Sequence, residues 1–281
     1  MNSELFPPIP TDTARTALSV FGRRNFYLAA GDQLNSLFSG LIQERTNGWN
    51  FRPSRTQGML YLITMFQFLE TLPDRLAADA LHLRVDWKYA LHLPLDYPAL
   101  EGMRFCEFRR WLLADPMGMQ GLEILLERLA DPLLAAGKLR VNPPAGEVVK
   151  SVCLVSRLAM VWDSIREVLG LLATRQPEWL RRVNLPHWYD RYGRDWNTID
   201  LTVRGPEQEA LAQSIGADGD HLLRAIYIDA DLHLSALPEI QAMKQTWGEQ
   251  YRWLEGKITW RKEACAYCSP PVPINSLDQG G

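Results

Sequence analysis

The chain has 281 residues, 47% of them hydrophobic and 22% charged, which is ordinary for a soluble globular protein of one large domain or two smaller ones. A formal charge of −3 excludes a global electrostatic pull toward nucleic acid, so any DNA-binding surface must be local. Cys106, Cys153, Cys265 and Cys268 are too few and too scattered for a disulfide framework, and the start "MNSELFPPIP" lacks the charged-then-apolar pattern of a secretion signal.

Helical periodicity dominates the chain. In "GDQLNSLFSGLIQE", Leu34, Leu37, Phe38, Leu41 and Ile42 share one helix face, and Asp32 is the expected N-cap. After "RTNGWNFRP", Ser54 should cap an apolar helix running to about Glu70. Its core "MLYLITMFQFL" falls short of the ~18 apolar residues a membrane span needs, so it reads as a buried helix. The protein is therefore expected in the cytoplasm, with no membrane partner.

"LPDRLAADALHL" and "DWKYALHL" read as short helices, followed by a helix in "YPALEGMRFCEFRRWLLAD" with Phe105, Phe108, Trp111 and Leu112 on its apolar side. Asp115 and Pro116 form a cap and first-turn pair ahead of a helix carrying Leu122, Leu125, Leu126, Leu129 and Leu133.

The stretch "GKLRVNPPAGE" (137–147) then breaks the pattern, and "EVVKSVCLV" is the one β-branched run that resembles a strand. From Leu158 through Leu172 the helical spacing returns. "PEWLRRVNLPHWYDRYGRDW" (177–196) is an aromatic and arginine-rich connector. Helical pieces follow near 207–216, 220–228 and 239–254, and the tail "CSPPVPINSLDQGG" has a disordered composition.

Chemistry-bearing motifs are sparse. Cys265-x-x-Cys268 is half of a zinc site, but no second pair completes four ligands, so it reads as two cysteines near a frayed terminus. His82, His92, His187, His221 and His233 are scattered singly and read as structural. A serine elbow, a phosphate loop and an HExxH motif are absent.

The arginines say more. Residues 15–55 hold six arginines against Asp32 and Glu44, a local excess of +4. Arg104, Arg109 and Arg110 lie on the last of a cluster of short helices, as in a helix-turn-helix unit whose final helix enters the major groove. The candidate DNA contacts are Arg45, Arg52 and Arg55, suited to phosphates, and Arg104, Arg109 and Arg110, placed to read bases.

Several stretches in order, "GDQLNSLFSGLI", "QFLETLPDRLAADALHLRVDWKYALHLPLD", "FCEFRRWLL", "LLERL", "PEWLRRV", "HWYDRYGR", "EALAQSIGADGDHLL" and "LPEIQAMKQTW", resemble bacterial insertion-sequence transposases of the DDE class with an InsH-type N-terminal domain. The resemblance runs from about residue 20 to about residue 260. It implies a mainly α fold: an N-terminal arm (1–30), a multi-helical DNA-binding domain (31–136), the start of an RNase H-like domain with helical insertion (137–262) and a disordered tail (263–281).

In intact members of that family three carboxylates hold two Mg²⁺ ions that activate the attacking oxygen and stabilise the leaving one. Counting back from Trp179 places the family's first catalytic Asp at Pro144, within Pro-Ala-Gly-Glu (144–147). Proline carries no carboxylate, and in a strand Glu147 would face the opposite side from position 144. The chain also diverges from the family at about Lys262, before the remaining carboxylates.

The resemblance therefore implies a truncated transposase-like protein that binds the DNA of its element ends, with no catalytic residues, no metal ligands and no cofactor. Two rivals stand beside it. One is a helical interaction module that assembles with itself or with an intact transposase, through surfaces that include Trp188, Tyr189, Tyr192 and Trp196. The other is a gene relic without function.

Overall fold

Ser54 opens a long buried helix as its sequence suggests. Its hydroxyl accepts from the Gln57 backbone N–H while the Gln57 side chain accepts from the Ser54 N–H, a reciprocal capping box. The computed structural model describes residues 4–22, 25–43, 53–98, 100–193, 206–229 and 233–261. These form two compact units that divide between Cys153 and Leu154, and the fold is mainly α. Among the described residues no helix is long and apolar enough to cross a membrane.

The first unit contains α1 (Thr11–Phe21), α2 (Phe26–Asp32), α3 (Leu34–Gln43), α4 (Arg55–Glu70), α5 (Asp74–Leu83), α6 (Val85–Ala90), α7 (Gly102–Ala114), α8 (Pro116–Ala135) and the beginning of α9 (Ala145–Arg175). Helix α4 is buried on nearly every side, with Tyr61, Ile63 and Phe66 inaccessible. An all-round apolar surface is what a central helix needs. Around it gather Phe38 of α3, Trp87 of α6, Phe105 of α7, Leu125 of α8 and Val149 of α9 in one hydrophobic core. Asp115 caps α8 as expected, accepting from the Met117 N–H at 3.0 Å.

Three expectations are corrected in this unit. Where an N-terminal arm is expected, the described residues hold two packed helices: α1 and α2 pack on α6, and the Thr13 hydroxyl, fully buried, donates to the Leu93 carbonyl at 2.8 Å. Asp32 does not open a helix but ends α2, and its Oδ1 accepts from the Tyr89 hydroxyl at 2.6 Å.

The third correction concerns the break. The chain leaves helix only between Ala135 and Ala145, and "EVVKSVCLV" lies within α9, a helix of 31 residues. Val148, Val149, Val152 and Val155 are spaced i, i+1, i+4 and i+7 and are all buried, so burial along one helix face outweighs the strand preference of β-branched residues. Pro144 precedes the first turn, where a missing N–H costs nothing, and its carbonyl accepts from the Glu147 N–H at 2.9 Å.

The second unit holds the rest of α9 with α10 (Pro177–Val183), α11 (His187–Tyr192), α12 (Pro206–Ile228), α13 (Pro238–Gln250) and the antiparallel hairpin β1 (Tyr251–Leu254) and β2 (Lys257–Trp260). The connector at 177–196 thus carries two helices. The pieces at 207–216 and 220–228 are a single helix, α12. Its glycines are packing devices: a Cβ on Gly216 would lie 2.3 Å from a Tyr251 ring carbon, and one on Gly219 only 1.9 Å from a Trp247 ring carbon. Arg157 of α9, buried, donates to Gln250 Oε1 and to the Arg261 carbonyl, both at 2.7 Å, and stacks over Trp260.

Candidate nucleic-acid interface

Of the six arginines expected to touch DNA, Arg45 and Arg52 lie outside the described residues. Arg55, in the first turn of α4, is exposed, with its Nη2 3.4 Å from the His92 carbonyl. Arg104, in the first turn of α7, is exposed, and Arg110 on the same helix is half-buried.

Arg109 is different. It is only 1% exposed and donates from Nη1 and Nη2 to the two carboxylate oxygens of Asp74, at 2.8 and 2.6 Å. Gln67 of α4 joins them, accepting from Arg109 at 3.3 Å and donating to Asp74 at 2.8 Å. Arg109 is therefore a structural residue that fastens α7 to α5 and α4, and it cannot reach a base edge from this position. Its charge is buried at low penalty because a bidentate carboxylate at the start of α5 matches its two parallel N–H bonds.

A second polar cluster stiffens the same unit. Arg84 contacts Glu70, holds Asp86 through Nε and Nη2 at 3.1 and 2.7 Å, and lies over the rings of Tyr27 and Trp87. Burial works against its charge, but hydrogen bonds to Asp86 and Glu70 outweigh that and hold the guanidinium protonated more firmly than usual. Burial, and then the Glu70 carboxylate, push the Tyr27 hydroxyl well above the ordinary tyrosine range. His92 is placed between the carbonyls of Pro7 and Gly31, a structural role.

In the second unit, Asp218 of α12 is 4% exposed and organises α11. It accepts from the Tyr192 hydroxyl at 2.7 Å, meets His187 Nε2 at 2.8 Å and is contacted by Arg191. The rings of Trp162 and Tyr192 meet edge-on at 5.6 Å. Beside this anchored helix, α9, α10 and α11 enclose a groove of about 620 Å³ lined by Arg166, Leu169, Gly170, Arg181, Tyr189 and Tyr192, among others. The composition of 177–196 signalled these aromatics and arginines, but nothing local showed that α9 would complete a cavity with them.

Position 144, where the resemblance sets a catalytic Asp, offers no donor, and Glu147 is an exposed residue one turn along a helix. These residues do not fit a Mg²⁺ site, and the described residues hold no group of three potential acidic, histidine or cysteine ligands. Cys265 and Cys268 lie outside the described residues, whereas Cys106 and Cys153 are buried.

The fold defines a mainly helical protein of two units, with arginines exposed on α4 and α7 of the first and an aromatic groove in the second. No protein-family model, no curated protein and no solved structure matches the chain at a significant level.

Proposed function

We propose that this chain is a transposase-like DNA-binding protein of an insertion sequence that carries no strand-transfer activity of its own. The observation that carries the reading is the ordered run of resembling stretches from about residue 20 to about residue 260, in which Pro144 replaces the catalytic Asp. The geometry supports a contact set narrower than the arginine count suggests. Arg104 and Arg110 of α7 face the bases, Arg55 of α4 holds phosphate, and Arg109 with Asp74 keeps α7 at a fixed angle to its neighbours.

The test is binding of the purified chain to DNA from the ends of its own element, against a scrambled duplex, across a salt series. A site preference that survives at physiological salt is expected. Arg104→Ala with Arg110→Ala should erase the preference, whereas Arg55→Ala should weaken binding to both duplexes and reduce the salt slope by about one. Equal binding to both duplexes that disappears with salt would overturn the reading.

The exposed side chains of Leu83 and Met103 favour a second reading, assembly with itself or with an intact transposase. Co-elution with such a relative in the absence of any DNA preference would select it.

A further inference from the structure

We propose that the groove between α9, α10 and α11 binds an unpaired nucleotide of a single-stranded nucleic acid, with the base against Tyr189 and the phosphates drawn to Arg166 and Arg181. Tyr189 is 81% exposed, the most exposed aromatic ring among the described residues, although it sits in a helix whose other face is firmly held. Asp218 anchors His187, Arg191 and Tyr192 on that other face, so the Tyr189 backbone is already ordered before anything binds. A ring presented this way offers a stacking surface with little ordering penalty, and every base has a π face to meet it.

Charge selects the occupant. The residues lining the groove include two arginines and no carboxylate, which favours an anion over a basic or neutral peptide. Arg181 is paired with Glu178 at an exposed i, i+3 spacing, with both side chains more than 70% accessible, and such a pair exchanges for a phosphate at little loss. The cavity of about 620 Å³ lies within the ~300–1,000 Å³ typical of small-ligand clefts. Gly170 keeps one wall open: a Cβ there would meet no atom within 4 Å. This proposal is independent of the duplex contacts on α4 and α7, which belong to the other unit.

The experiment uses the full chain and a fluorescently labelled thymidine strand of roughly twelve nucleotides, followed by anisotropy at physiological salt. Saturable binding is expected. Tyr189→Ala should weaken it by about tenfold and Tyr189→Phe should restore it, since stacking needs the ring and not the hydroxyl. Gly170→Leu, favourable in a helix and filling the wall, should reduce binding as much. Introduced together with Arg55→Ala and Arg104→Ala, Tyr189→Ala should still cause the same further loss, which separates this site from the duplex interface. An abasic strand that binds as well as the thymidine strand would overturn the proposal in favour of phosphate attraction alone. Equal affinity of Tyr189→Ala and the unaltered chain would also overturn it, as would competition by free thymidine monophosphate at equal nucleotide concentration, which would assign a metabolite instead of a strand. Tyr189→Ala changes an exposed side chain, and an unaltered circular dichroism spectrum confirms that the loss is local.

Discussion

Arg109 and Asp74, thirty-five positions apart in the sequence, are joined by two charge-assisted hydrogen bonds that close α7 onto the first residue of α5. Because Arg109 is buried and Asp74 nearly so, removing one partner strands the other charge in a poorly solvated place. Arg109→Ala should destabilise the first unit by about 3–5 kcal/mol, and Arg109→Met with Asp74→Leu should recover much of it. Urea denaturation of the single and double variants checks this. A loss under 1 kcal/mol for Arg109→Ala would show that the pair adds little to stability.

Gly216 and Gly219 make the opposite kind of prediction, one of excess volume. Gly219→Ala forces the new methyl into the Trp247 ring and should cost about 1–3 kcal/mol. Gly170→Ala, in a helix with open space around it, should instead raise stability by about 1 kcal/mol. Thermal melts of the two variants side by side distinguish glycine used for packing from glycine that only weakens a helix.

Asp218 should govern α11. Asp218→Asn keeps the shape but removes the charge facing Arg191 and replaces one of two acceptor oxygens, Oδ1 toward His187 or Oδ2 shared by Arg191 and Tyr192, with a donor. A loss of roughly 1–3 kcal/mol is expected, with faster amide exchange over 187–192 than over α9. Uniform exchange across both helices would count against the anchor.

Alkaline pH should unfold the protein early. Tyr27, Tyr61, Tyr192 and Tyr251 all have hydroxyls pushed above the ordinary tyrosine range, burial being the main cause in each. In the unfolded chain these groups ionise near pH 10 while in the folded chain they stay neutral, so the unfolded state binds fewer protons there. Stability is thus complete below about pH 10 and falls as pH rises above it, by up to about 1.4 kcal/mol per pH unit for each tyrosine. Urea midpoints at about pH 8 and about pH 11 measure the drop, and Tyr27→Phe should make it shallower.

The elements read correctly from sequence are those specified by neighbours in the chain. Ser54, and Asp115 with Pro116, announce helix starts through local hydrogen bonding, and both appear as expected. The helix at 147–155 reads as a strand in sequence because four valines after a proline and glycine break mimic strand composition, while the i, i+4, i+7 burial that makes the segment helical depends on distant partners. Arg109 is more instructive. It stands four residues after Phe105 and three before Leu112, on the apolar face of α7, so spacing alone places it inward. Its charge suggested exposure, and only Asp74, far off in sequence, explains why burial is tolerated. The groove was half legible: its aromatics and Arg181 belong to one short segment, whereas Arg166 and Gly170 come from a helix that had shown nothing but apolar spacing.

The grip of Arg157 on Arg261, 104 residues later, has a consequence for synthesis on the ribosome. The described part of the first unit is complete in sequence once Cys153 has emerged, and its core can close while translation continues. The second unit cannot satisfy the Arg157 guanidinium until the hairpin and Arg261 have been made. During that interval α9 would expose Trp162, Ile165 and Leu172, which are inaccessible in the finished fold. This segment is where a nascent chain would need chaperone shelter, because its exposed apolar surface is prone to aggregate until the hairpin is made.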